Sequence, residues 1–442
     1  MPHASRPVLM RRMHHRHDAD GIVGGGLPAD NRCLLTDRSR AMSHDPNALA
    51  TPSAAIVLLM AFSCGLVAAS SYFAQPLLAT IARDVGLPAW AASWIITSSQ
   101  FGYCVGLLVL APLGDCVENR RLVLLTLGGL CAALLAMARA TGGVALLAAA
   151  FAIGLGCTLV QMLVPLAARM AGADSRGRVV GKVTSGLLAG IMLARPAASV
   201  VAAQAGWRAL YVAAALVLAA LGLLLARVLP RHAPAAPTPY RQALGSLHGL
   251  LRRHAPLRRL GAVQACLFGA FSLFWGAAPL TLSRRFGLSP DGLALFALAG
   301  AAGALAAPLA GRAADRGRGV ALRALGIALV AAGFALTLVP NLAAWVVAAL
   351  MIDAGVQVCH VIAQRTVLSL DAAAHNRLNS LYIAMFFFGG ALGSALASAA
   401  LAPGWPAVAG LGVLLAAAAA LIAGEPGIAC AGPGAARRAA RR

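Results

Sequence analysis

The sequence predicts an all-α integral membrane protein, with twelve transmembrane helices in two pseudo-symmetric six-helix bundles. Three observations predict it. Of 442 residues, 60% are hydrophobic and only 11% are charged, against roughly 25% charged in soluble domains; mean hydropathy is +0.80. Twelve apolar runs follow one another, most of them near the roughly 20 residues a helix needs to cross a bilayer. Basic residues concentrate in every second gap between those runs.

Residues 1–53 are polar, mixed in charge and without apolar period, which predicts a disordered cytoplasmic tail. No apolar segment follows the early arginines, so no signal peptide is expected. Met42, just before the first run, reads as an alternative start. His14, His15 and His17 in this tail have the residue type for metal binding but read as part of a floppy basic segment. The runs of the N-terminal bundle (54–228) lie near 55–79, 90–112, 121–138, 143–168, 179–203 and 208–228. Those of the C-terminal bundle (259–424) lie near 259–282, 292–311, 320–339, 342–365, 378–401 and 405–424. Between the sets, residues 229–258 carry Pro234, Pro237, Pro239 and several arginines, a polar cytoplasmic linker. Residues 425–442 form a basic cytoplasmic tail.

Orientation follows from charge. With the N-terminus inside, thirty of the 36 Lys and Arg residues face the cytoplasm and five (Arg83, Arg139, Arg208, Arg284, Arg285) face the other side; Arg195 lies within a span. Basic residues mark cytoplasmic loops, so the protein is expected in the inner membrane, multi-pass, with both termini cytoplasmic. An odd number of spans breaks the pattern. The same placement disfavours nucleic acid as partner despite a net charge of +22, because a nucleic-acid binder gathers its basic residues on one soluble face. Trp90, Trp94, Trp207, Trp345 and Trp405 open inward-running spans and Trp275 lies near the outer end of span seven, which predicts an aromatic belt at one interface. Nine cysteines are scattered without CxxC spacing, so neither disulfides nor a metal centre are expected. HExxH, GxSxG and close carboxylate pairs within spans are absent from the sequence, which argues against an enzyme.

The two halves repeat. "APLGD" (Ala111–Asp115) follows span two and "APLAGRAADRGR" (Ala307–Arg318) follows span eight; Gly206–Trp207 before span six matches Gly404–Trp405 before span twelve. Parallel six-span repeats joined by a cytoplasmic linker build one common transporter architecture. At these residues the chain resembles the major facilitator superfamily, over roughly residues 55–424. That family carries a G-x-x-x-D-(R/K)-x-G-(R/K) loop after spans two and eight. Gly311, Asp315, Arg316, Gly317 and Arg318 match it; in the first copy Ala111 takes the glycine position, and Asp115, Arg120 and Arg121 keep the charges. The resemblance implies that these aspartates and arginines form a clamp steadying one gating state. An acid capping a helix start with bases beside it is physically consistent with that role.

"YFAQPLL" in span one, "DAGVQ" and "HVIAQ" in span ten, and "HNRLNSLY" and "FFFGGALGS" around span eleven resemble a bacterial efflux branch of that family. This resemblance implies proton-coupled export of a small organic solute by alternating access, with the proton gradient as energy source and no cofactor; a proton-coupled importer of a metabolite is the alternative. A neutral or weakly charged solute is expected, along with a monomer in the lipid bilayer. The exporter signature of span five is partly present: Gly177, Gly186 and Gly190 hold its spacing, but Ile191 replaces its proline, and Ala194 and Arg195 its glycine pair. Gly186 and Gly190 also suit close helix packing without any further role.

Charges within spans mark functional sites by default. Asp353 lies near the middle of span ten and Arg195 in the outer half of span five, at the interface of the halves if the resemblance holds. Gln357, His360 and Gln364 follow Asp353 at i+4, i+7 and i+11, one stripe on a helix that should line a cavity or a helix seam. Removal from water favours the neutral form of a carboxylic acid and histidine titrates near neutrality unaided, so Asp353, with His360 as alternative, is the expected proton carrier. Arg195 should have a partner, Asp353 or backbone carbonyls. Tyr72, Gln75, Gln161, Gln357, Gln364, Asn379 and Tyr382 are the expected substrate-cavity residues. Pro76, Pro165 and Pro279 are expected to break helices near the site.

Overall fold

The computed structural model describes residues 52–172, 175–231, 239–306, 310–311, 316, 318–371 and 374–424. The tails, with His14, His15, His17 and Met42, lie outside the described residues, as do Asp315 and Gly317. In a bilayer core no water satisfies backbone polar groups, so the apolar runs close their hydrogen bonds as helices. Eleven described segments are long and apolar enough to span. Spans one to six are Ala54–Asp84, Trp94–Gly114, Asn119–Arg139, Gly143–Met170, Arg176–Ala205 and Trp207–Val228. Spans seven and nine to twelve are Ala255–Phe286, Gly319–Leu336, Leu342–Leu368, His375–Leu401 and Trp405–Gly424. Span eight is described as a helix over Pro290–Ala301 and a 3-10 turn over Ala302–Leu305. Side-chain caps start several spans: Ser53 accepts from Ile56 N–H, Ser289 from Gly292 N–H and Asn341 from Ala343 N–H, supplying donors at helix starts with an acceptor. The fold is thus the expected twelve-helix, two-bundle one, and part of the linker adds a helix of its own, Tyr240–Arg253.

The repeat is visible as geometry. Gly186 and Gly190 of span five press on Gly65 of span one, and a Cβ on either would run into span-one backbone. Gly389 and Gly393 of span eleven press in the same way on Ala265 and Gly269 of span seven. Each half therefore crosses its first and fifth spans through small residues four apart, which lets backbones approach closely. Gly206 (φ 82°) and Gly404 (φ 113°) turn the chain into spans six and twelve at matching places, a backbone region open to glycine at little cost.

Two spans are interrupted. Span one is helical over Ala54–Ser70, turns through residues 71–74, makes a 3-10 turn at Gln75–Leu77 and resumes as Leu78–Asp84. Span four breaks between Gly143–Cys157 and Val160–Met170, and the Cys157 thiol donates to the Val67 carbonyl at 3.1 Å, so the two breaks adjoin. Pro76 sits in the first break as expected. Pro165 and Pro279 do not break their helices: both lie inside continuous ones, and the span-four break precedes Pro165.

One apolar core fills the N-terminal bundle and takes in the linker-side ends of spans ten and eleven; a second fills the C-terminal bundle. The expected aromatic belt is mostly absent. Only Trp90 and Trp94 are exposed, at 66% and 45%, while Trp207, Trp275, Trp345 and Trp405 are buried. Trp207 N–H donates inside to Asp84 at 2.9 Å and Trp405 N–H to Thr337 at 2.7 Å, which satisfies the polar handle a buried indole carries; the Trp345 N–H has no partner among the described residues.

Candidate functional site

Arg195 and Asp353 lie at one level of the bundle. Arg195 is ten residues before its helix end at Ala205 and Asp353 eleven residues after its helix start at Leu342, so each sits about 15 Å in at 1.5 Å per residue. The sequence placed Arg195 nearer the surface because span five runs two residues further than its apolar run. Both are buried, at 3% and 5% exposure. Trp275 of span seven stands between them. Its N–H donates to Asp353 Oδ1 at 3.0 Å, and the Arg195 guanidinium lies 4.2 Å above its ring centroid, within cation–π range.

The expected partner of Arg195 was Asp353 or backbone carbonyls; it is a side-chain amide instead. Arg195 Nε donates to Gln75 Oε1 at 2.7 Å. The break in span one explains this, because it presents Gln75 and Tyr72 from a turn rather than from a helix face. Tyr72 and Phe271 each place a ring 5.5 Å from the guanidinium. Arg195 Nη2 is buried without any hydrogen-bond partner among the described residues. A small cavity of about 10 Å³ adjoins it, lined by Gln75, Arg195, Trp275, Leu293 and Phe296 among others. Span five here faces spans seven and eight, so Arg195 is at the interface of the halves as expected. Gly186 and Gly190 serve instead the crossing of spans one and five within the first half.

The span-ten stripe faces inward, but its members have different partners. The His360 Nδ1 and the Tyr382 hydroxyl are 3.0 Å apart, and their rings stack with centroids at 5.6 Å. Gln364 donates to Asn379 at 2.9 Å and Asn379 donates to Gln161 at 3.0 Å. Gln161 donates to the Tyr103 hydroxyl at 3.4 Å. This relay ties spans ten and eleven to spans four and two near the linker side, beside a cleft of about 50 Å³ that includes Gln161, Pro165, Arg169, Asn376 and Asn379. Gln357 is half-buried and without a hydrogen bond among the described residues. On the far side, Ser93 and Ser398 hydroxyls meet at 2.9 Å. The halves therefore touch at both ends, with the Arg195–Trp275–Asp353 group enclosed between.

The sequence reading missed the contribution of span seven. Gln264, Phe268, Phe271 and Trp275 have the same i, i+4, i+7, i+11 spacing as the span-ten stripe. Gln264 donates to the Val356 carbonyl at 3.3 Å. Phe268 stacks on Phe386 at 3.8 Å and Phe386 lies 5.1 Å from the His360 ring; Tyr103 stacks on Phe387 at 4.0 Å. Ser272 accepts from Gln100 of span two at 3.0 Å. The spacing was the available signal; apolar rings hid it, because aromatic residues in a span read as lipid-facing.

At the loops, Arg120 donates to the Ala226 carbonyl at the end of span six, and Arg365 to the Gly311 carbonyl at 2.9 Å. Cations at helix C-termini satisfy orphan carbonyls and the dipole. Arg121, Arg316 and Arg318 are exposed. The aspartates expected to complete the clamp fall outside the described side chains. Among the described residues no group of three His, Cys, Asp or Glu could hold a metal.

The major facilitator superfamily model matches residues 60–377. An uncharacterized transporter, YgaY, of Escherichia coli O157:H7 is 38% identical over 362 residues, covering 79% of this chain and 89% of that protein. A probable transporter, SCO4007, of Streptomyces coelicolor is 36% identical over 363 residues, covering 79% and 82%. Among solved structures, the human organic anion transporter MFSD10 superposes with a TM-score of 0.61 at 17% identity, covering 83% of this chain and 97% of that one. A bacterial homolog of the human lysosomal transporter Spinster, inward-facing and unoccupied, gives 0.59 at 15% identity, covering 85% and 94%. These two likenesses concern the fold.

Proposed function

Because the chain belongs to the major facilitator superfamily and is a membrane transporter rather than an enzyme, we propose that it moves its small-molecule substrate by proton-coupled alternating access, with Asp353 as the proton carrier. One observation carries this reading: Asp353 is a buried carboxyl whose nearest donor, the Trp275 indole, is shared with the cation–π contact of Arg195. Separation of the halves would move Arg195, on the first half, away from Trp275 and Asp353, on the second. The electrostatic field at the carboxyl then differs between states, which is what a carrier needs to take a proton on one side and give it up on the other. His360, paired to Tyr382, is the alternative carrier.

Export is the direction suggested by the resemblance to the efflux branch, with the protein in the inner membrane as a monomer and both tails cytoplasmic. Uptake of substrate together with a proton is the second reading. The test is Asp353→Asn in proteoliposomes. Proton-driven accumulation should fall to background while substrate exchange down its own gradient survives. Full accumulation with unchanged pH dependence would make Asp353 structural and move attention to His360.

A further inference from the structure

Arg195 is a buried cation with no carboxylate in ion-pair range among the described residues. Its nearest hydrogen-bond partner is an amide oxygen, three aromatic rings surround it, and Asp353 is kept out of ion-pair range by the intervening indole. Guanidinium is charged at any pH the cell meets, and a buried charge lacking a counter-charge is strongly unfavourable. Its Nη2 has no hydrogen-bond partner among the described residues and the residue lines a cavity between spans one, five, seven and eight. A planar fork with a free nitrogen is suited to a carboxylate.

We propose that Arg195 receives the carboxylate of the transported substrate, and that this substrate is a monoanionic organic acid with a flat apolar body. The charge argument limits the anion to one negative charge. The cavity residues Gln75, Pro76, Trp275, Pro279, Leu282, Leu293, Phe296 and Ala297 bring no second cation. The body follows from the surroundings: Trp275 and Phe296 line the cavity, Tyr72 and Phe271 place rings beside the guanidinium, and the aromatic column continues through Phe268 to Phe386. At about 10 Å³ the cavity is closed to anything larger than one water, so the acid enters only when the halves part.

The inference rests on the reading of Asp353 as proton carrier for one consequence. Around Asp353 the ionisable groups are Arg195 and Tyr72, with His360 two turns along its own helix. An ionised Asp353 and a bound carboxylate would compete for one guanidinium. The bound acid therefore favours protonated Asp353, and by linkage the proton favours the acid. Under this proposal substrate and proton load together, as in the second reading above.

The experiment uses the purified full chain in detergent. Probes are benzoate, phenylacetate and indole-3-acetate at millimolar concentration, each beside its own amide, with the thermal unfolding midpoint as readout. At least one acid is expected to raise the midpoint and its amide is not. The gain should fall at least tenfold in apparent affinity in Arg195→Gln and survive in Asp353→Asn, whose proton-driven transport is lost. If every acid and amide pair behaves alike in the wild-type chain, the proposal is wrong, and that arm needs no variant that folds. Undiminished acid binding by a folded Arg195→Gln chain overturns it as well. Acid binding that survives alongside normal proton-driven transport in Asp353→Asn leaves the anion site standing and removes Asp353 as carrier.

Discussion

At the scale of the residue, Trp275 is the side chain on which the two buried charges depend. Its N–H is the one described side-chain donor to Asp353, and its ring is the nearest of the three faces around Arg195. Trp275→Phe keeps most of the ring and removes the N–H. A buried carboxyl left without its donor costs about 1–3 kcal/mol. The variant should therefore unfold at lower temperature yet remain folded, and its proton-driven transport should fall more than its substrate exchange. Equal transport in both assays, with unchanged stability, would show that the indole is only filling space. Asp353 itself was legible because a lone carboxylate in an apolar run has few other uses. Trp275 was not, since a tryptophan near a span end belongs by default to the membrane interface and only the packed structure shows it buried.

At the scale of the helix, the small-residue crossings hold each half together. A Cβ at Gly190 would collide with the Gly65 backbone, and one at Gly393 with that of Gly269. Forced volume in a packed seam costs about 1–3 kcal/mol, more when backbone has to move. Gly190→Val and Gly393→Val should each lower the melting temperature and the yield of folded protein, whereas valine at Gly128, where nothing lies within reach of a new Cβ, should be neutral. A stable Gly190→Val chain would mean the crossing is loose. The spans and the first crossing's glycines could be read from periodicity and spacing alone. The break in span one could not: Pro76 hinted at it, but Pro165 and Pro279 gave the same hint in helices that stay whole. A proline's effect depends on whether neighbouring helices re-satisfy the backbone it frees, and that is a tertiary fact. For the same reason Gln75 was legible as a cavity residue but not as the partner of Arg195.

At the scale of the whole molecule, a count of twelve spans predicts the linker, both tails and the loops after even spans on one side. Reporter fusions at Gly287 and in the C-terminal tail should therefore report opposite sides of the membrane. Finding them on the same side would remove one span, and span eight, described through residue 306 and again at residues 310–311, would be the one to re-examine. Among the described residues the hydrogen bonds between the bundles, Ser93 with Ser398 and Ser394, Gln100 with Ser272 and Gln161 with Asn379, are few and uncharged, beside the cation–π contact of Arg195 with Trp275. Side-chain hydrogen bonds within membranes average under about 1 kcal/mol, so these latches are weak enough to open during a cycle.

The crossing of spans one and five also bears on how the chain is made. Once Gly190 has entered the membrane, the first half has every residue it needs to seat span five against span one. Arg195 follows in the same span and finds Gln75 there to hold it, but Trp275 and Phe271 are still to be translated. At roughly 5–20 residues per second, the guanidinium waits on the order of ten seconds for its aromatic cover. During biosynthesis Gln75 and the Tyr72 ring are thus the first companions of a charge that the finished protein surrounds with more rings, and losing the amide would leave that cation in the nascent half with a single ring for cover.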